Sequence, residues 1–172
     1  MINLNRMEDV RFRIARQEDL AKIVEIYNST VPSRIVTADT EPVSVESRQA
    51  WFDAHKPEKY PLWVVEDNKD EMVGWASFQP FYGRPAYAAT AEVSIYLAES
   101  CRGKGIGKQV LSYCLEGAPK YGIKTLLGFI FEHNTPSLCL FERMGFTLWG
   151  KLPRIALLDG EEYGLAILGK RV

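Results

Sequence analysis

The chain has 172 residues, 47% of them hydrophobic and 12% aromatic, which suits one packed domain over 1–172 and excludes a disordered chain. With 21 basic and 22 acidic side chains the formal charge is −1, so no general attraction to nucleic acid or to an anionic membrane is expected, and a cluster of cations must serve a local anion. No apolar run approaches a membrane span, Met1-Ile-Asn-Leu-Asn-Arg6 lacks the basic-then-apolar form of a secretion signal, and 3 cysteines with only 2 histidines show no metal-ligand spacing; the expectation is a cytoplasmic protein without a metal.

Val10, Phe12 and Ile14 alternate with Arg11 and Arg13 and predict a first strand. A helix is expected over 17–28, with Glu18 and Asp19 in a first turn whose dipole favours carboxylates and with Leu20, Ile23, Val24 and Tyr27 on one face. The stretch 29–43 has no period, and a loop of about 15 residues in a compact domain is usually functional or disordered. Ser44 is the expected N-cap of a second helix over 44–55, which offers Val45, Trp51, Phe52 and His55 for burial and ends at Pro57. Residues 62–66 and 71–78 read as a hairpin across the polar turn 67–70. The segment 80–87 then interrupts with two prolines, one glycine, three aromatic residues and Arg84; it suits either a small zwitterion beside a cleft or aromatics tucked onto the sheet.

From Thr90 the alternation resumes, with Ala91, Val93, Ile95 and Leu97 on one face and Glu92, Ser94 and Tyr96 on the other. Glu92 and Tyr96 therefore point the same way. Arg102-Gly103-Lys104-Gly105-Ile106-Gly107 follows and opens a helix whose apolar stripe is Ile106, Val110, Leu111, Cys114 and Leu115. Glycines without Cβ atoms let backbone N–H groups close on a phosphate that the helix dipole also favours, and Arg102, Lys104 and Lys108 add charge. A P-loop is excluded, because three residues, not four, separate Gly103 from Gly107 and Gln109 follows Lys108. A Rossmann turn needs G-x-G-x-x-G in the first βα unit; the spacing differs here, although Glu132 could imitate the ribose-binding acid. Cys101 beside the turn reads as a small packing residue or as a thiol of lowered pKa.

Residues 125–131 form a nearly continuous apolar run, as in a strand buried on both faces. Thr135 is the expected N-cap of the next helix, Pro136 its first residue and Gly145 its stop. Strand material over 146–158, broken near Pro153, a turn at Asp159-Gly160 and a strand over 163–168 close the chain.

Arg102-x-x-Gly105-x-Gly107 after a strand resembles the pyrophosphate loop of the GNAT superfamily of N-acetyltransferases, and the order of elements is similar to that fold along almost the whole chain. The resemblance implies an α/β class with a mixed, mostly antiparallel central sheet flanked by helices. Thr40-Glu41-Pro42, Ala91-Glu92 opening Val-Ser-Ile-Tyr-Leu, Asn134-x-Pro136-Ser137 and Glu142 before Met144-Gly145-Phe146 look like the phosphinothricin N-acetyltransferase group. That likeness implies acetyl-CoA as co-substrate, with its pantetheine arm on the backbone of Ile95, Tyr96 and Leu97. Its pyrophosphate would lie on Arg102, Gly103, Lys104, Gly105, Ile106, Gly107 and Lys108, with further contacts from Asn134 and Ser137. Asn134 equally suits a helix-entry residue bonded to local backbone.

By the same resemblance Glu92 is the catalytic base, acting directly or through water. It would free the α-amine of a small amino-acid-like acceptor, of the phosphinothricin or methionine sulfoximine type, to attack the thioester. Thr37, Tyr82, Arg84 and Tyr87 are the candidate acceptor-binding residues, Arg84 as partner of a carboxylate. A homodimer and a detoxifying role are implied. Many members carry a tyrosine acid where this chain has Phe141, which leaves water, departure as thiolate, or Tyr96. Two other readings use the same residues: a protein or peptide N-acetyltransferase with an open groove, and a non-catalytic acyl-CoA sensor.

Overall fold

The computed structural model describes residues 9–172, so the stretch Met1 to Arg6 lies outside the described residues. Its strands are β1 (Arg11–Ile14), β2 (Leu62–Glu66), β3 (Met72–Pro80), β4 (Thr90–Leu97), β5 (Thr125–Phe131), β6 (Thr147–Leu158) and β7 (Glu161–Arg171). They form one sheet in the order β1-β2-β3-β4-β5-β7-β6, antiparallel at every step except the parallel pair β4–β5. The helices are α1 (Leu20–Thr30), α2 (Val45–Ala54), α3 (Ile106–Gly117) and α4 (Thr135–Arg143). The mixed, mostly antiparallel α/β class expected above is what forms.

Strand alternation assigns the two faces. Trp63 and Val65 of β2, Ala76 and Phe78 of β3, and Ala91 and Val93 of β4 pack with Ile106, Val110, Leu111 and Cys114 of α3 and Phe141 of α4. Leu62, Val64 and Trp75 turn to the opposite face and meet Ile23 and Ile26 of α1, with Trp51 and Phe52 of α2 beside them. Each apolar stripe thus covers one side of the sheet, and burial of some thirty apolar side chains is the main force holding the layers together. Cys101 belongs to the α3-side core, as a packing residue.

Several boundaries differ from the sequence expectation for local reasons. Gln17–Asp19 is a 3-10 turn and α1 starts at Leu20, because the Asp19 carboxylate is held by Arg13 at 2.7 and 2.9 Å and by the Arg16 amide at 2.7 Å. At the other end α1 runs on to Thr30 and into a further 3-10 turn, Val31–Ser33. Ser44 caps α2 as expected, accepting from the Ser47 amide at 3.1 Å. The cap of α4 is Asn134 and not Thr135: its Oδ1 accepts from the Ser137 amide at 3.3 Å, which makes Thr135 and Pro136 the first helical residues. β6 passes Pro153 without breaking; the register shifts between Leu152 and Ala156, with Arg154 at φ 55°, and an edge strand tolerates the missing N–H.

One feature of the sheet prepares the site. β4 pairs with β5 only at Thr90–Thr125, Ala91–Leu126 and Glu92–Leu127, then continues to Leu97 along β3 alone. The Ala98 amide bonds Val73 O at 2.8 Å and the Phe81 amide bonds Thr90 O, so the even-numbered β4 residues turn their backbone to β3. By the same alternation Val93, Ile95 and Leu97 aim their N–H and C=O groups into the gap where β5 has parted. Tyr96, expected to offer its backbone there too, faces Trp75 instead.

Candidate active site

Because β4 and β5 are parallel and each runs into a helix, the N-termini of α3 and α4 lie at the same end of the sheet, at the mouth of the gap. The turn before α3 holds Gly103 at φ 75° and Gly105 at φ 78°, a left-handed conformation that favours glycine. A Cβ on Gly103 would meet nothing within 4 Å, so the glycine serves the backbone turn and leaves its amide side open. Gly105 caps α3 without any side-chain bond to the helix amides, while Arg102, Lys104 and Lys108 are exposed around it. Buried Ile106 pins the turn to the core, and Gly107 lies against Leu140 and Leu97. A glycine turn at a helix N-terminus, with the helix dipole and basic residues beside it, has the local features that favour an anion. Asn134 is buried at the start of α4, with Ser137 half-buried one turn on.

On the other face of β4, a cavity of about 190 Å³ opens between the sheet and the first two helices. Its floor is Glu92, Ser94 and Tyr96 of β4 beside Gln79 and Trp75 of β3; its walls are Ile23 and Tyr27 of α1 and Arg48 and Trp51 of α2. Burial raises the Glu92 carboxyl above its ordinary value, with no charged partner opposing the rise. Tyr96 stacks on Trp75 with ring centres 4.5 Å apart, and burial, then Tyr27 and Glu92, push its phenol up, so it keeps its proton. The Tyr27 hydroxyl donates to Asp39 and pairs with Thr37, and burial first, then Asp39, raises it as well. Ser77, fully buried beside Ser94, has a hydroxyl without a hydrogen-bond partner among the described residues.

The residues expected to bind the acceptor divide in two. Thr37 is buried and reaches the cavity through Tyr27. Tyr82, at 79% exposure, Arg84 and Tyr87, at 45%, sit on the outward loop between β3 and β4, where Tyr82 and Tyr87 pack on Phe81, outside the cavity lining. Phe141 is a core residue, 4.8 Å from Phe146 and seated over Gly128. Glu132 lies against Gly164 and 3.5 Å from Lys151, and the largely antiparallel sheet removes the Rossmann alternative. Tyr27, Arg48, Trp51, Trp75, Gln79 and Ser94 were not singled out from the sequence as site residues. Ser94 was legible, between Glu92 and Tyr96 on one strand face; the α1 and α2 residues were not. Among the described residues no three His, Cys, Asp or Glu side chains group as a metal site, and no helix is long and apolar enough to cross a membrane.

A parted parallel pair, a glycine turn at its mouth and a half-buried carboxylate at the last paired step of β4 are the features the resemblance to a GNAT fold led one to expect. Residues 12–164 match the family described as acetyltransferase (GNAT) domain, and the chain belongs to that family of acetyl-CoA-dependent N-acetyltransferases. It is 54% identical, over 93% of its length and 98% of the relative's, to YwnH of Bacillus subtilis, provisionally assigned as a phosphinothricin acetyltransferase. It is 35% identical, over 88% and 86%, to an L-methionine sulfoximine/L-methionine sulfone acetyltransferase of Pseudomonas paraeruginosa. Among solved structures, a GNAT superfamily phosphinothricin acetyltransferase of Sinorhizobium meliloti in complex with acetyl-CoA superposes with TM-score 0.89 at 29% identity, covering 95% of this chain and 88% of that one.

Proposed function

We propose that the protein moves the acetyl group of acetyl-CoA to the α-amine of a small amino-acid-like acceptor of the phosphinothricin or methionine sulfoximine type, with Glu92 as general base. The observation that carries this reading is the place of Glu92. It is the last β4 residue paired with β5, so its carboxylate enters the acceptor cavity at the level where the gap opens on the other side of the strand. An amine in the cavity and a thioester in the gap would meet there.

Val93, Ile95 and Leu97 offer backbone groups to the pantetheine arm, Arg102 to Lys108 hold the pyrophosphate, and Asn134 and Ser137 border it from α4. Burial raises the Glu92 carboxyl above its ordinary value, which makes its ionised form a better acceptor of the ammonium proton than an ordinary carboxylate. The leaving thiol has an ordinary pKa of about 8.5 and can depart as thiolate. Tyr96, protonated and in the same cavity, is the chain's own candidate donor, since Phe141 has no proton to give. Thr37 shapes the acceptor side. The loop with Tyr82, Arg84 and Tyr87 joins the end of β3 at Pro80 to the start of β4 at Thr90, close in sequence to Gln79 and Glu92 of the cavity floor, which supports a role at its rim.

The test is acetyl-CoA-dependent thiol release with phosphinothricin and with methionine sulfoximine beside a basic peptide with a free N-terminus. Turnover of either analogue with the peptide inert is the expected result, since a cavity of about 190 Å³ has room for a small acceptor and little more. Turnover of the peptide alone would make the acceptor a polypeptide, and acetyl-CoA binding without any turnover would make the domain a sensor. Acetylation removes the positive charge of such an analogue, the chemical basis for a detoxifying role in the cytoplasm.

A homodimer is part of the same reading. Edge strand β6 exposes Leu148, Trp149, Ile155 at 58% and Leu157 at 65%, an unpaired apolar edge of the kind soluble proteins cover. Sedimentation equilibrium should give a dimer that Ile155→Glu with Leu157→Glu converts to monomer; a monomeric parent protein at micromolar concentration would remove the dimer.

A further inference from the structure

The acceptor cavity holds a second charged group to which no role has been given. Arg48 lies three residues before Trp51 on α2, so both side chains leave the helix on one face, over the cavity. Its guanidinium carbon stands 4.7 Å from the Tyr27 ring centre and 5.9 Å from that of Trp51. Asp39 accepts one Nη2 hydrogen bond at 2.8 Å and, on the same oxygen, the Tyr27 hydroxyl. This carboxylate fixes the guanidinium against the rings from outside the cavity lining. A guanidinium has five N–H donors, and no other hydrogen bond from Arg48 occurs among the described residues. The side chain is 26% exposed, dry enough to strengthen a charge contact and still reachable.

Arg48 and Glu92 do not form a pair. The shift of Glu92 comes from burial alone, whereas Tyr96 feels both groups, the carboxylate raising its phenol and the guanidinium opposing. Both groups line the one cavity, and no ion pair joins them among the described residues. An α-amino acid carries the complementary arrangement, an amine and a carboxylate on one carbon.

We propose that Arg48 is a specificity-determining residue of the acceptor site, binding the α-carboxylate of the acceptor while Glu92 faces its amine. This rests on the acetyl-transfer reading above and deepens it. Planar, delocalised and already held by rings and Asp39, the guanidinium can make a two-pronged contact with a carboxylate at little further entropic cost. Arg84, the cation expected for this task from the sequence, stands on the exposed loop outside the cavity lining.

The experiment compares L-methionine sulfone, whose only anion is its carboxylate, with its carboxamide, as substrates and as quenchers of the tryptophan fluorescence to which Trp51 and Trp75 contribute. The wild type should prefer the acid. Arg48→Gln should raise KM for the acid on the order of 10- to 100-fold, the worth of a charge-assisted contact, with kcat less affected and the carboxamide little changed. Arg48→Lys should recover part of the loss on the acid, and carries the comparison if Arg48→Gln does not fold. Equal losses on acid and carboxamide would reduce Arg48 to a structural residue and overturn the proposal, as would the same selective loss in Arg84→Gln with Arg48→Gln unaffected. If no acceptor turns over but quenching by the acid still depends on Arg48, the transferase reading falls and the anion site stands. Equal quenching by acid and carboxamide in the wild type removes the anion site whatever the turnover.

Discussion

Glu92→Gln should lower kcat for acetyl transfer by about 100- to 10,000-fold, the range expected when a positioned general base is removed. The dissociation constant of acetyl-CoA should stay near that of the wild type, because in the proposed arrangement the cofactor meets the backbone of β4 and the glycine turn and not this carboxylate. The pH dependence follows from the direction of the shift. Burial lifts Glu92 above its ordinary value of 4.5, and the base works only when ionised, so kcat/KM rises with pH through the raised value and is lost as pH falls through it. Stability moves the other way. As pH rises past the ordinary value the unfolded chain gives up this proton first, and through the window up to the raised value the folded state binds more protons, so the contribution of Glu92 to stability is lost as pH rises. Glu92→Gln, which never ionises, should therefore unfold at a higher temperature than the wild type at neutral pH, with the difference closing below the ordinary value. Rate–pH profiles and thermal melts at neutral and acid pH measure both effects. A variant that keeps wild-type turnover would end the role of Glu92 as base, and one that melts lower at neutral pH would mean that its carboxylate is stabilised by a partner.

The parts of this site legible in the sequence are those that depend on neighbours along the chain. Period-two alternation put Glu92, Ser94 and Tyr96 on one face because a strand has no other way to place them. Three glycines with basic residues at a strand-to-helix junction announced an anion turn because its backbone angles depend only on local residue types. Arg48 was not legible for the opposite reason. The sequence offered Trp51 and Phe52 for burial, which gives the sheet-facing side of α2, but an arginine one turn from them reads as solvated, and its partner Asp39 is brought to it only by how the 29–43 segment folds back. The loop with Tyr82, Arg84 and Tyr87 has the composition of a binding loop, but composition does not give direction, and these side chains point outward. Asn134 and Thr135 are both adequate caps by residue type, so local composition did not choose between them. The backbone of Tyr96 was likewise beyond local reading, since which of two alternate sets of amides faces the gap depends on the register of β4 against β3.

The register of β5 leads to a stability prediction at the place where the gap begins. Gly128 follows Leu127, the last β5 residue paired with β4, and a Cβ built on it would lie 2.6 Å from Cε1 and 2.9 Å from Cδ1 of Phe141. Phe141 fills the space that the missing side chain leaves, and so seats α4 on β5 at the first step of the divergence. Gly128→Ala should cost about 1–3 kcal/mol, because the added Cβ overlaps a buried ring that packs against Phe146. Phe141→Ala should cost about 3–5 kcal/mol as a buried aromatic is lost and a cavity left. In the double variant the Cβ enters that cavity, and alanine is the better strand residue by roughly 0.5–1 kcal/mol, so Gly128→Ala turns from destabilising to stabilising once Phe141 is gone. Urea denaturation of the four proteins gives this coupling directly, and acetyl-CoA titration of each reads its effect on the gap. Additive losses would mean that the glycine and the ring do not share this space; coupling, with weaker acetyl-CoA binding in Gly128→Ala alone, would mean that this contact sets the width of the opening through which the thioester reaches Glu92.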